Sequence, residues 1–247
     1  MDLSQFSVII FPALVLAAIL YSSVGHGGAS GYIAVMVLFG LSPETMRPVA
    51  LSMNLAVTAW VLWRHRASYA DMLHFSPLIL SAIPAAFVGG AWRIDSHSYQ
   101  LLVGLLLLLS ALRMCWSGTA QASQTIPKRR WLVVAGLSLG LLAGLTGVGG
   151  GVFLSPFLVI MAWSSVQKTI APVAAFIFFN SLAGLSGFLF SGGGIPSATP
   201  LLVLLAFIGG LLGAELSLRK NSQQLLSYVL GAVLLIAGGK MFMLGLT

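Results

Sequence analysis

The chain has 247 residues, of which 58% are apolar and only 7% charged, with a mean hydropathy of +1.01. A water-soluble domain carries charge on about a quarter of its residues, so most of this surface must face lipid. The net charge of +7 would point to nucleic acid in a soluble protein. Here the basic residues gather at the ends of apolar segments, as in Arg64-His65-Arg66, Lys128-Arg129-Arg130 and Arg219-Lys220, which is the pattern of cytoplasmic anchoring and argues against nucleic acid.

No Asp, Glu, Lys or Arg occurs between Asp2 and Glu44, between Arg130 and Lys168, between Lys168 and Glu215, or between Lys220 and Lys240. A membrane helix needs about 20 apolar residues, and the first and third of these runs each have room for two passes. The segments lack the alternation of outer-membrane strands. The sequence therefore predicts an all-α integral membrane protein, multi-pass in the bacterial inner membrane. The opening MDLSQFS has no basic region and no A-x-A site follows, so the first apolar segment is expected to be retained as a membrane helix.

In chain order, helical segments are predicted at 5–22, 29–41, 45–63, 72–92 and 97–115. A polar stretch, SGTAQASQTIPKRR, follows. A second set is predicted at 131–146, 150–163, 167–190, 199–217 and 222–244. The division is a first membrane repeat over 1–118, a cytoplasmic linker over 119–130 and a second membrane repeat over 131–247. The repeats match in sequence: SSVGHGGASGYIAVMVLFG aligns with GLTGVGGGVFLSPFLVIMA, Pro48 with Pro172, Asn54 with Asn180, and VGGAW with LLGAE. With the basic clusters in the cytoplasm, each half crosses an odd number of times, provided its first two segments go in and come back, and both termini lie outside. The two repeats are then inverted, a common transporter plan.

Two glycine clusters, Gly25-His26-Gly27-Gly28 and Gly147-Val148-Gly149-Gly150-Gly151, interrupt these uncharged runs. Consecutive glycines break helices, and backbone freed at membrane depth must be buried in protein or line a cavity. A re-entrant hairpin or a broken helix is expected at each. The N-terminus left by such a break suits an anion, whereas the plainer alternative is close helix packing through small residues. Gly25, Gly27, Gly28, Gly147, Gly149, Gly150 and Gly151 are therefore candidate substrate-binding positions. His26 lies within the first cluster and is an ionisable residue at membrane depth. It is a candidate for anion binding and for proton coupling, the alternative being a structural bond to a carbonyl.

Asn54 and Asn180 fall mid-segment, where a buried amide must bond another helix or a ligand. Ser22, Ser23, Ser30, Ser52, Thr146, Ser155 and Ser181 surround these sites as hydroxyl donors, although a single hydroxyl most often bonds its own helix. Of these, Ser30 and Thr146 join the substrate-site candidates. Arg47 and Lys168 precede or open the third helices, where interface anchoring is the favoured reading over a basic mouth for anions. Glu215 is a second proton-coupling candidate, with Arg219 one helical turn away as its expected ion-pair partner.

LTGVGGGVFLSPFLV, its variant VGHGGASGYIAVMV and the repeated small-residue patches resemble the sulfite exporter TauE/SafE family of integral membrane proteins. The resemblance covers nearly the whole chain, and the first copy departs from it at His26, Ala29 and Ser30. It implies export or import of sulfite, sulfonates or related organosulfur anions across the inner membrane, with proton coupling as an option. The expected partners are a small anionic substrate, membrane lipid and at most a second copy of the chain in a homodimer. No cofactor or metal is expected, because Cys115 is the only cysteine and no Cys/His cluster has zinc spacing. A passive anion channel is the main competing function. An intramembrane enzyme is the weaker rival, since Ser22 or Ser23 near His26 is the only tempting nucleophile–base pair and there are no paired acids and no HExxH metal site.

Overall fold

The computed structural model describes residues 8–23, 28–64, 69–115, 128–160, 170–216 and 223–247. These form eleven helices and no strand. The first half holds α1 (Ile10–Ser23), α2 (Ala29–Leu38), α3 (Pro43–Arg64), the short α4 (Tyr69–His74), α5 (Ser76–Ala91) and α6 (Ser96–Cys115). The second half holds α7 (Arg129–Thr146), α8 (Gly151–Ile160), α9 (Ile170–Phe190), α10 (Thr199–Leu216) and α11 (Gln223–Leu244). The all-helical expectation holds, and the predicted segments correspond to these helices. One difference is local: Phe75 separates α4 from α5, with Pro77 beside the new start, where a proline's missing N–H costs nothing.

Helix ends follow from glycine chemistry at a few positions. Gly40 (φ +75°) and Gly192 (φ +85°) adopt the left-handed conformation just past α2 and α9. Each supports paired bonds back into its helix: Leu41 N–H to Met36 and Gly40 N–H to Val37, then Gly193 N–H to Phe188 and Gly192 N–H to Leu189. This is the Schellman arrangement, which satisfies last-turn carbonyls. Lys240 of α11 adds its ammonium to the same end of α2, donating to the Val37 and Leu38 carbonyls at 2.8 and 3.0 Å. At the other polarity, Asp95 caps α6. Its Oδ2 accepts the Ser98 N–H at 2.9 Å, and this bond holds its carboxyl below the usual carboxylate range.

Packing between the halves rests on small residues that bring backbones together. Added side-chain carbons at Gly136, Gly140 and Gly144 of α7 would strike the backbone of Leu78, Ala82 and Ala86 of α5. The numbers rise together, so α5 and α7 run parallel. Gly209 and Gly213 of α10 lie in the same way on the Val15 and Ile19 carbonyls of α1, again parallel. In contrast α6 and α11 run antiparallel, with Gly104 against Phe242 and Gly238, and Gly245 against Leu101. The central pair, α3 and α9, is also antiparallel, since Leu51 meets Gly184 while Asn54 meets Ser181. The first helix of each half therefore packs on the long fourth segment of the other half.

The outer surface is apolar. Leu105, Leu109 and Leu112 on α6, and Leu201, Leu204, Ile208 and Leu212 on α10, are exposed at one-turn spacing. Such stripes would be an aggregation hazard in water and are the normal face toward lipid. Among the described residues, Arg129–Thr146 and Ile170–Phe190 are long and apolar enough to cross a membrane, and six further apolar helices are shorter.

Candidate functional site

The second glycine cluster interrupts a helix and reverses the chain. Helix α7 stops at Thr146 because Gly147 takes φ +76° and returns its N–H to the Ala143 carbonyl at 3.0 Å. Gly149 (φ +71°) and Gly150 (φ +78°) are also left-handed, a conformation that costs residues with a Cβ about 1–2 kcal/mol. The Gly150 carbonyl then accepts from Phe153 and Leu154, starting α8. Leu154 and Leu158 join a core cluster with Leu132, Ala135, Phe75 and Leu78, so α8 turns back toward the starts of α7 and α5. The expected break is present here, and residues 147–151 are all buried.

The break leans on the middle of α3 and α9. The position of an added Cβ on Gly149 is occupied by the Asn54 amide nitrogen, with Ile177 at 3.1 Å and Ser181 Oγ at 3.3 Å. Gly150 faces Phe176 and Gly151 faces Ile177 in the same manner. Asn54 lies halfway along α3 and Asn180 halfway along α9; both are at most 1% exposed. Asn54 Nδ2 donates to Ser181 Oγ over a long 3.4 Å, and its Oδ1 has no partner among the described residues. Neither amide atom of Asn180 has one. A buried amide left in this state costs about 1–3 kcal/mol per group, which no described residue offsets.

The remaining candidates fall differently. Thr146 Oγ1 bonds within its own helix, donating to Leu142 at 2.7 Å, and accepts the Val148 N–H at 3.3 Å. Ser52 also bonds within its helix, to Pro48. Gly28 and Ser30 belong to a separate group near the start of α2: Gly28 packs on the Tyr32 hydroxyl end and Gly31 on the Tyr21 ring. Ser30 and Tyr32 are fully buried. The hydroxyls of Ser22, Ser30 and Tyr32 have no hydrogen-bond partner among the described residues. Gly25, His26 and Gly27, along with Lys168 and Arg219, lie outside the described residues, as do the side chains of Ser23, Ser155 and Glu215.

Arg47 corrects the interface-anchor expectation. It is only 6% exposed and its guanidinium turns inward, donating to the carbonyls of Gly89 (3.1 Å), Gly90 (3.1 Å), Gly144 (3.0 Å) and Trp92 (3.4 Å). It thereby caps α5 and α7 together, placing a cation at two negative helix ends. Phe188 covers it, with the ring centroid 5.5 Å from Cζ. Tyr99 of α6 completes the cap by donating to the Thr146 carbonyl at 2.8 Å. The spacing of Arg47 and Asn54, seven residues apart on one face of α3, is a signal in the sequence that could have drawn Arg47 into this set. Nothing local marks Tyr99.

The profile of the Sulfite exporter TauE/SafE family matches residues 10–241. The chain is 34% identical over 238 residues to the "Probable membrane transporter protein y4hK" of Sinorhizobium fredii, covering 93% of this chain and 95% of that protein. It is 26% identical to the "Probable membrane transporter protein MamO" of Magnetospirillum gryphiswaldense, over 77% of this chain. A second MamO, from Paramagnetospirillum magneticum, is matched to the same extent, and the alignment spans 37% of either MamO. No solved structure matches the chain. The chain belongs to the sulfite exporter TauE/SafE family of membrane transporters.

Proposed function

We propose that this protein is a secondary transporter that carries a small anion, sulfite, a sulfonate or another organosulfur anion, across the bacterial inner membrane in a proton-coupled cycle. The observation that carries this reading is the pairing of Asn54 and Asn180, buried halfway along α3 and α9 with amide atoms unpartnered, beside a left-handed glycine break. Amide N–H donors, the Ser181 hydroxyl and the start of α8 form a neutral set of donors suited to an oxyanion. A helix end contributes about 0.3–1 kcal/mol and up to about 2 when partly buried. That is too little to desolvate an oxyanion, so the side-chain donors are needed to complete its shell.

An inverted arrangement of the repeats is supported by helix directions. The sequence-equivalent pairs α3/α9 and α6/α11 lie antiparallel, while α1 runs parallel to α10 and α7 to α5. A two-fold axis in the membrane plane would exchange these pairs, and alternating access would follow from rocking one half against the other. His26 and Glu215 remain the proton-coupling candidates on sequence grounds.

The test is uptake by proteoliposomes of sulfite and of methanesulfonate, with and without an imposed pH gradient. Accumulation above the external concentration is expected. Flux that only equilibrates the anion would replace the carrier with a passive channel, and no flux of either anion would remove the organosulfur substrate class.

A further inference from the structure

The connections α2–α3, α5–α6 and α9–α10 meet at one end of the bundle around a cavity of about 590 Å³. Its lining includes Arg47, Arg93, Glu44, Tyr99 and Phe188, with Ile195 at the α9–α10 connection. Arg47 is the buried member. The four carbonyls that it caps leave its Nε–H without a partner among the described residues. Arg93 is exposed and donates to the Ser191 carbonyl. Among the described lining residues Glu44 is the only acid, against the two arginines.

The cavity is also adjacent to the central site. Arg47 and Asn54 are seven residues apart on one face of α3, which is about 10 Å along the helix. Gly147, which opens the glycine break, packs on Arg47 with its Cβ position 3.0 Å from the Arg47 Cα. The lining pairs two guanidinium groups with aromatic and aliphatic surface, and a volume of this size lies in the range that holds an organic ligand of roughly 300–1,000 Å³ sites. A bare inorganic oxyanion would leave most of it unfilled.

We propose that this cavity is a vestibule site for an organic oxyanion, whose charged head is held by Arg93 in the positive field of the capped Arg47 and whose apolar tail lies on Phe188 and Ile195. Arginine suits this task because its planar donors match a sulfonate or carboxylate and it keeps its charge when desolvated. The proposal rests on the transporter reading for its place in a cycle, although its chemistry is independent of the central site.

The test uses the full chain purified in detergent, with Cys115→Ser and a single reporter thiol from Ser96→Cys in the cavity lining. Labelling rates are measured with an anionic sulfonatoethyl and a cationic trimethylammonioethyl methanethiosulfonate, each normalised to a free thiol. The anionic reagent is expected to be favoured by about tenfold, falling toward parity in Arg93→Gln. Benzenesulfonate is expected to slow labelling at lower concentration than sulfate. That protection is expected to weaken in Arg93→Gln and to persist in Asn54→Leu. Equal labelling by both reagents, sulfate protecting as well as benzenesulfonate, or protection lost in Asn54→Leu would each overturn the proposal. Absence of transport in liposomes with protection intact would instead strike the transporter reading and leave the vestibule standing.

Discussion

Gly149 and Asn54 occupy each other's space: the Asn54 amide nitrogen sits where a side chain on Gly149 would begin. Two features thus converge at this residue, a left-handed φ of +71° and the absence of room for a methyl group. Gly149→Ala should cost about 1–2 kcal/mol from the backbone alone and push Asn54 out of position. Uptake should fall at least about tenfold while the protein remains in the membrane fraction. Normal uptake by Gly149→Ala would return the glycine break to a packing role.

Asn180 offers a test with opposite signs for stability and function. Its amide is buried with no partner among the described residues, so replacing it by an apolar residue of similar size removes a desolvation cost of about 1–3 kcal/mol. Asn180→Leu should hold or raise the melting temperature in detergent and abolish uptake. A fall in stability together with uptake would instead identify Asn180 as helix glue.

Removing Arg47 should have the reverse character. Arg47→Met leaves four carbonyls at the ends of α5 and α7 without their donor. A loss of about 2–4 kcal/mol is expected, seen as lower expression and a lower melting temperature. Arg47→Lys should recover part of this. Unchanged stability in Arg47→Met would mean that other groups satisfy those carbonyls.

The seam between α5 and α7 tolerates no larger residue. Gly140→Val would drive its side chain into the Ala82 backbone, with an overpacking cost of about 1–3 kcal/mol or more. Gly239 has nothing within 4 Å of its added Cβ, so Gly239→Ala should be accepted at about the wild-type level. Comparing monodispersity of the two variants on gel filtration checks the seam directly.

Topology and coupling are tested separately. Reporter fusions at Gln124 and Ser222 should read cytoplasmic and one at Ser197 periplasmic. Finding Ser197 on the same side as Ser222 would exclude inverted repeats. If His26 carries the coupling proton, His26→Gln should flatten the dependence of uptake on pH between about 5.5 and 8.5, where histidine titrates. Superimposable profiles would leave Glu215 as the remaining candidate.

The sequence by itself determined the helices and the break at Gly147–Gly151, because these depend on properties that neighbouring residues carry. Charge-free runs specify burial in lipid, glycine clusters specify breaks, and the offset near 125 residues relates Asn54 to Asn180. The second cluster, Gly147 to Gly151, could be read as a break because left-handed backbone is a local requirement. What the tertiary structure decided is which of these pieces meet. Asn54 reaches Ser181 across 127 positions and Arg47 reaches Gly144 across 97, while Tyr99 closes on Thr146 across 47. No periodicity encodes such pairs, since they follow from how small-residue seams set the spacing of α5, α7 and α9. Arg47 shows the difference most clearly: an arginine near a helix start normally reaches for the interface. This one turns inward because two helix ends converge on it with carbonyls that only a buried donor can satisfy.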